Sequence, residues 1–109
     1  MTDANKLNEG LKRLWLKHLP ATRSRLAVLG RALEAIAKGS TSKELIAEAS
    51  QAAHKLAGSL GTFGLQSGSA VATQIEAAFE DGTFNDHKIR DLRDCFHRLE
   101  QEIQSKSIS

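Results

Sequence analysis

The chain has 109 residues, 40% of them hydrophobic and 26% charged, with a formal net charge of +2 and one cysteine. That length suits one domain with one core, and the small net charge argues against a nucleic-acid partner held by a broad basic field. No apolar run approaches the length of a membrane span, the polar stretch Met1–Gly10 has no secretory core, and Cys95 alone cannot form an internal disulfide, so a cytoplasmic protein with no membrane partner is expected.

Alanine and leucine dominate the apolar positions, with one proline and no tyrosine. Such a composition favours helices over strands. Five segments carry helical periodicity. The first is expected from about Asp3 to His18, capped by Thr2 or Asp3, with Leu7, Leu11, Leu14 and Trp15 on one face. The second begins at Pro20, a residue suited to the first helical position. Its apolar side is Leu26, Leu29, Leu33 and Ile36, and Gly39 stops it. The third starts near Ser40–Ser42 and runs to about Leu60, with Leu45, Ala49, Ala52, Ala53, Leu56 and Leu60 as its stripe. The fourth starts near Ser67, uses Val71, Ile75, Ala78 and Phe79, and ends at Asp81-Gly82. The fifth starts near Asn85 and carries Ile89, Leu92, Phe96, Leu99 and Ile103, spaced alternately by three and four like the seam of a bundle helix.

Short connections make sequential helices antiparallel neighbours. The expected fold is all-α: an antiparallel up-and-down four-helix bundle with an additional N-terminal helix. One domain is expected over residues 1–109, with a helical core of about 3–104 and a frayed polar tail at Ser105–Ser109.

His54 breaks the pattern of the third segment. It lies roughly 150° from the centre of the apolar stripe by helical-wheel geometry, so it points to solvent. Its neighbours on that face are Ala47, Ser50, Gln51, Ala57, Gly58 and Gly61, where an ordinary exposed face would carry long charged side chains. The imidazole therefore stands in a cleared patch that another protein could approach. A glycine inside a helix costs about 1 kcal/mol relative to alanine. Clearance beside His54 or close packing against a neighbouring helix would each offset that cost at Gly58.

Glu76 is a candidate partner for the ring. His54 sits roughly 9 Å below the turn that follows its helix, and Glu76 roughly 13–14 Å below the same turn on the next helix. Helical side chains lean toward their own N-terminus. In an antiparallel pair the two tips then converge. A carboxylate accepting from one ring nitrogen fixes the tautomer and leaves the other nitrogen as nucleophile. Lys55, next in sequence, is long enough to reach a phosphate as a point charge.

The stretch Ala53-His54-Lys55-Leu56-Ala57-Gly58-Ser59-Leu60-Gly61-Thr62-Phe63-Gly64 resembles the signature of histidine phosphotransfer (Hpt) domains of two-component multistep phosphorelays. That signature is a His followed by Lys, Leu, a variable residue, Gly and Ser, with a further Gly ten residues after the His. His54, Lys55, Leu56, Gly58, Ser59 and Gly64 match it. The resemblance is residue-specific from about Ala53 to Glu76. It implies a four-helix bundle with an accessory helix, and phosphorylation of His54 on the ring nitrogen distal to the backbone. The phosphoryl group would come from a receiver-domain aspartyl phosphate and pass to another receiver. Receivers would dock around His54, Lys55 would steady the phosphoryl group, and Gly58 would leave room for the receiver's site. It implies no ATP site, hence no autonomous kinase activity, and Mg²⁺ only on the partner receiver. Partners would be response-regulator receivers and a hybrid sensor histidine kinase. Lysine is frequent in the family at the position of Ala57, so one phosphate-facing cation is missing here.

A lone exposed histidine is more often merely solvated. The cleared patch, Gly58 and the matched motif together set His54 apart from that case. Glu76 and Lys55 taken alone would be ordinary solvated charges. The glycines Gly58, Gly61 and Gly64 do not have the spacing of a dinucleotide or P-loop fingerprint, and no strand precedes them. Gly61 and Gly64 read as helix end and turn, with Phe63 plugging the bundle end. Trp15 and Cys95 read as packing residues. His18, His87 and His97 lack i,i+4 pairing with one another or with His54, so neither a metal nor another cofactor is expected. The competing functional class is a helical adaptor that binds a receiver or partner helix without chemistry. A monomer is expected.

Overall fold

A computed structural model describes residues 2–40 and 42–108, and within them the side chains from Lys6 to Ser107. It has four helices: α1 (Thr2–Ala37), α2 (Lys43–Thr62), α3 (Gln66–Asp81) and α4 (Asp86–Ile108). Each helix packs on two others, α1 on α2 and α4, and α3 on α2 and α4. That ring of neighbours, joined by short turns, is an antiparallel bundle. No strand occurs among the described residues.

The expected first and second helices are one. Pro20 lies inside α1, where it has no N–H to give the carbonyl of Leu16. Leu16 is 53% exposed, so water can take up that carbonyl. Packing explains the continuity. Trp15, Leu19, Thr22, Leu29, Leu33 and Ile36 are buried, and Leu26 packs against them. Their steps of four and three make a single bundle seam that passes through Pro20 without a break. Burial on both sides of the proline holds the helix together against its local preference. There is accordingly no separate N-terminal helix among the described residues.

A second difference concerns the start of α1. Leu7, Leu11 and Leu14 share the expected apolar face with Trp15, yet they are 65%, 40% and 55% exposed. A helix of 36 residues is about 54 Å long, matching the 54 Å long axis of the molecule. The other helices are shorter, so α1 runs past the end of the bundle. The N-cap expected at Thr2 or Asp3 lies outside the described side chains. At the other terminus α4 stays helical to Ile108 instead of fraying from Ser105, and Ser109 lies outside the described residues.

The core holds Trp15, Leu29, Leu56, Leu60, Ile75, Phe79 and Leu99, all essentially inaccessible. The remaining helix ends follow the sequence signals. Ser42 caps α2 by accepting the Leu45 N–H at 3.3 Å, and Asn85 accepts the Lys88 N–H at 2.8 Å at the start of α4. Between α2 and α3, Gly64 takes φ +82°, a conformation costly for residues with a Cβ. The Leu65 N–H then reaches back to the Leu60 carbonyl at 2.8 Å. Phe63 meets Trp15 edge-on at 5.4 Å between ring centres, closing that end of the bundle.

The turn from α3 to α4 is tied by Asp81. Its carboxylate accepts from the Thr83 hydroxyl and from Lys88 Nζ, the latter at 2.9 Å. The Thr83 hydrogen bond, then Lys88, lower its pKa from 3.8 to about 2. A depressed carboxylate contributes stability that is complete above the unfolded pKa and is lost as pH falls through the folded one. Asp81→Asn should therefore lower the melting temperature at neutral pH, with the gap to wild type closing as pH approaches 2. A gap that persists unchanged in acid would mean the ionised carboxylate is not what matters there. The continuity of α1 gives a second expectation: Pro20→Ala should raise stability in denaturant by about 1–3 kcal/mol. No gain would mean that the helix breaks at Pro20.

Candidate functional site

The site lies on the outer side of the α2–α3 pair. Ala49, Ala53, Leu56 and Leu60 turn one face of α2 into the core with no residual exposure. Between them the helix turns His54 outward, and its side chain is 74% exposed. Ile75 and Phe79 bury the corresponding face of α3. Glu76, beside Ile75, therefore sits at the border of that face and is 19% exposed.

The short turn at Gly64 sets the two helices in register. His54 Nδ1 donates a hydrogen bond to Glu76 Oε2 at 3.0 Å. A carboxylate only accepts here, so Nδ1 carries a proton, and in the neutral ring Nε2 keeps its lone pair. The ring is held from its backbone side, and its distal nitrogen faces outward. Such an arrangement provides a nucleophile of fixed tautomer on a rigid element.

His54, Lys55 and Glu76 line a shallow groove of about 310 Å³ together with Ser50, Gln51 and Glu80. Ala47 lines the adjoining stretch between α2 and α3 with Lys43, Ile46, Ser50, Phe79, Glu80 and Gly82. The six small or polar residues around His54 thus divide by surroundings. Gly58 is open: a Cβ added there would meet no atom within 4 Å. Close packing inside this chain does not account for that glycine. Gly61 lies inside α2 and faces α3, where an added Cβ would stand 3.4 Å from Ser69 Oγ. Ala57 packs partly against the core, and its carbonyl accepts from the Ser69 hydroxyl at 2.7 Å.

Two features were not anticipated from the sequence. Ser59 Oγ lies 2.5 Å from His18 Nε2 on α1. Arg25 Nη1 donates to the same nitrogen at 3.3 Å, and the His18 ring is tilted over Phe63 at 5.8 Å. The matched serine therefore ties α2 to α1, behind the face that carries His54. Glu80 is the other. It follows Glu76 by one helical turn, and that i,i+4 spacing was the available signal.

His87 and His97 pair within α4, with Asp91 and Glu100 respectively. Cys95 is half-buried, and burial pushes its thiol pKa up. Among the described residues no group of three His, Cys, Asp or Glu is placed to hold a metal ion. No helix among them is long and apolar enough to cross a membrane.

The chain belongs to the Hpt domain family: the family model described as Hpt domain matches residues 13–106. Hpt domains are histidine phosphotransfer modules of phosphorelays and interact there with receiver domains. No curated protein and no solved structure matches the chain at a significant level.

The open surroundings of Gly58 generate a separable expectation. Gly58→Ala should stabilise the fold by about 0.5–1 kcal/mol, because alanine is the better helix former and nothing is displaced. The same methyl should slow phosphoryl transfer from a receiver if the cleared surface serves docking. A stabilised variant with unchanged transfer rate would remove the docking role from Gly58.

Proposed function

We propose that this chain acts as a histidine phosphocarrier in a His–Asp phosphorelay, and that His54 is its phosphorylated residue. Nε2 of His54 attacks the phosphorus of a receiver's aspartyl phosphate. The N–P bond forms as the P–O bond breaks, and the electron pair leaves with the aspartate carboxylate. Nδ1 keeps its proton, and the positive charge that develops on the ring faces Glu76. Transfer to a second receiver reverses these steps. The observation that carries this reading is the 3.0 Å hydrogen bond that commits Nδ1 and leaves Nε2 free on a ring 74% exposed.

Glu76 acts as a positioning residue, and Lys55 meets the phosphoryl oxygens as a point charge. Ala47, Ser50, Gln51, Ala57, Gly58 and Gly61 form or support the surface against which the receiver docks. The chain supplies no kinase activity and needs no cofactor of its own; Mg²⁺ belongs to the receiver. Its donor is a receiver, such as that of a hybrid sensor kinase, and it works as a cytoplasmic monomer.

The test is transfer from a panel of phosphorylated receiver domains to the wild type, His54→Gln and Glu76→Ala. Wild type should take acid-labile, base-stable label, and His54→Gln none. Glu76→Ala should accept label about 10–100-fold more slowly, by analogy with the loss of a carboxylate that orients a metal-binding imidazole. Equal labelling of wild type and His54→Gln would mean that another residue is the acceptor. Binding of a receiver with no label on the wild type would favour a non-catalytic adaptor.

A further inference from the structure

We propose that Glu80 is a second carboxylate of the phosphorylation site and destabilises a phosphoryl group on His54, biasing the site toward giving it up. This rests on His54 being the acceptor.

The placement follows from helix geometry. α2 and α3 run antiparallel, and His54 opposes Glu76. One turn back along α2 is Ser50, and one turn on along α3 is Glu80, so these two face each other. Both line the groove that contains His54. Side chains on α3 lean toward its N-terminus, which tips the Glu80 carboxylate back toward the imidazole. Glu80 is exposed, and among the described residues it enters no ion pair or hydrogen bond. Its charge is therefore not committed elsewhere.

The groove's charged groups are Lys55 from α2 and Glu76 and Glu80 from α3. Lys43 lies farther off, in the adjoining stretch that Glu80 also lines. Glu76 has a task in holding Nδ1. No such contact explains Glu80. On phosphorylation Nε2 gains a group carrying close to two negative charges, which one lysine attracts and two carboxylates repel. Ala57, which follows His54 by three residues on α2, carries no charge to offset this. A unit charge some 6–10 Å from a divalent one at a watery surface shifts an equilibrium by roughly threefold to tenfold. Glu80 thus acts on the energy of the phosphorylated state without touching the reacting atoms.

The transfer equilibrium isolates this effect. The ratio of phospho-His54 to receiver phospho-aspartate at equilibrium depends on the free species alone, because the docked complex is common to both directions. It is read at low ionic strength with a receiver that labels the wild type. Glu80→Gln should raise that ratio by roughly threefold to tenfold, and Glu80→Asp should leave it near wild type. Asp94→Asn, which removes a charge from the exposed side of α4, should leave it unchanged, and high salt should shrink the Glu80→Gln effect. A labelled wild type whose ratio moves by less than about twofold in Glu80→Gln overturns the role of Glu80 alone. An equal rise in Asp94→Asn does the same, since net charge would then suffice. A wild type that takes no label from any receiver overturns the phosphocarrier reading and this inference with it.

Discussion

The chain reversal between α2 and α3 is the constraint on which the site depends. Only Phe63, Gly64 and Leu65 separate the two helices. Gly64 is left-handed, and the Leu65 N–H closes onto the Leu60 carbonyl at 2.8 Å. A connection this short leaves no slack. Sliding one helix by a residue would turn each side chain by about 100° and carry Glu76 away from the ring. Phe63 is itself fixed against Trp15 of α1. The turn is thus bound to the core on one side and sets the His54–Glu76 register on the other, although those residues lie 22 positions apart.

Small residues serve two purposes in α2. On the buried face, Ala49, Ala52 and Ala53 let neighbouring helices approach while Leu56 and Leu60 fill the centre. Toward α3, Gly61 accommodates Ser69. On the exposed face, a Cβ added at Gly58 would meet open space. Sequence spacing alone does not separate these cases, because Gly58 and Gly61 are three residues apart and share most of a helix side. Their surroundings do. Gly61 lies against α3, and Gly58 over open space beside His54.

Helix ends and stripes from Ser42 onward were legible because punctuating residues mark them. Ser42, Gly64, Gly82 and Asn85 each sit at a boundary. Glu76 was legible too, since the lean of helical side chains and a short turn bring its tip to His54. The N-terminal third was not. Pro20 carries a strong local signal for a helix start, but the seam from Trp15 to Ile36 runs through it and packing prevails. Leu7, Leu11 and Leu14 have the right period and no partner, because periodicity gives a face and not the length of the neighbours. The Ser59–His18 contact joins residues 41 apart in different helices, which no local pattern reports. Glu80 had a signal in its i,i+4 spacing from Glu76, but glutamate on an exposed helix is ordinary until the groove it lines is known.

Exposure and fixation are in tension at an exposed nucleophile. A ring open enough for a large partner would ordinarily sample several rotamers, and each orientation lost on docking costs binding energy. Here the ring is 74% exposed while the carboxylate that holds it is only 19% exposed. The shielded partner competes less with water for its hydrogen bond and stands on a helix whose Ile75 and Phe79 enter the core. Orientation is thus imposed from the buried side, and the outer edge stays free. The proposed acceptor role, meeting one partner and then another at the same nitrogen, needs both properties at once. A deeper histidine would be better fixed but unreachable, and an unpartnered one reachable but unaligned. Placing the carboxylate on α3 at the border of the core satisfies both requirements without burying a charge.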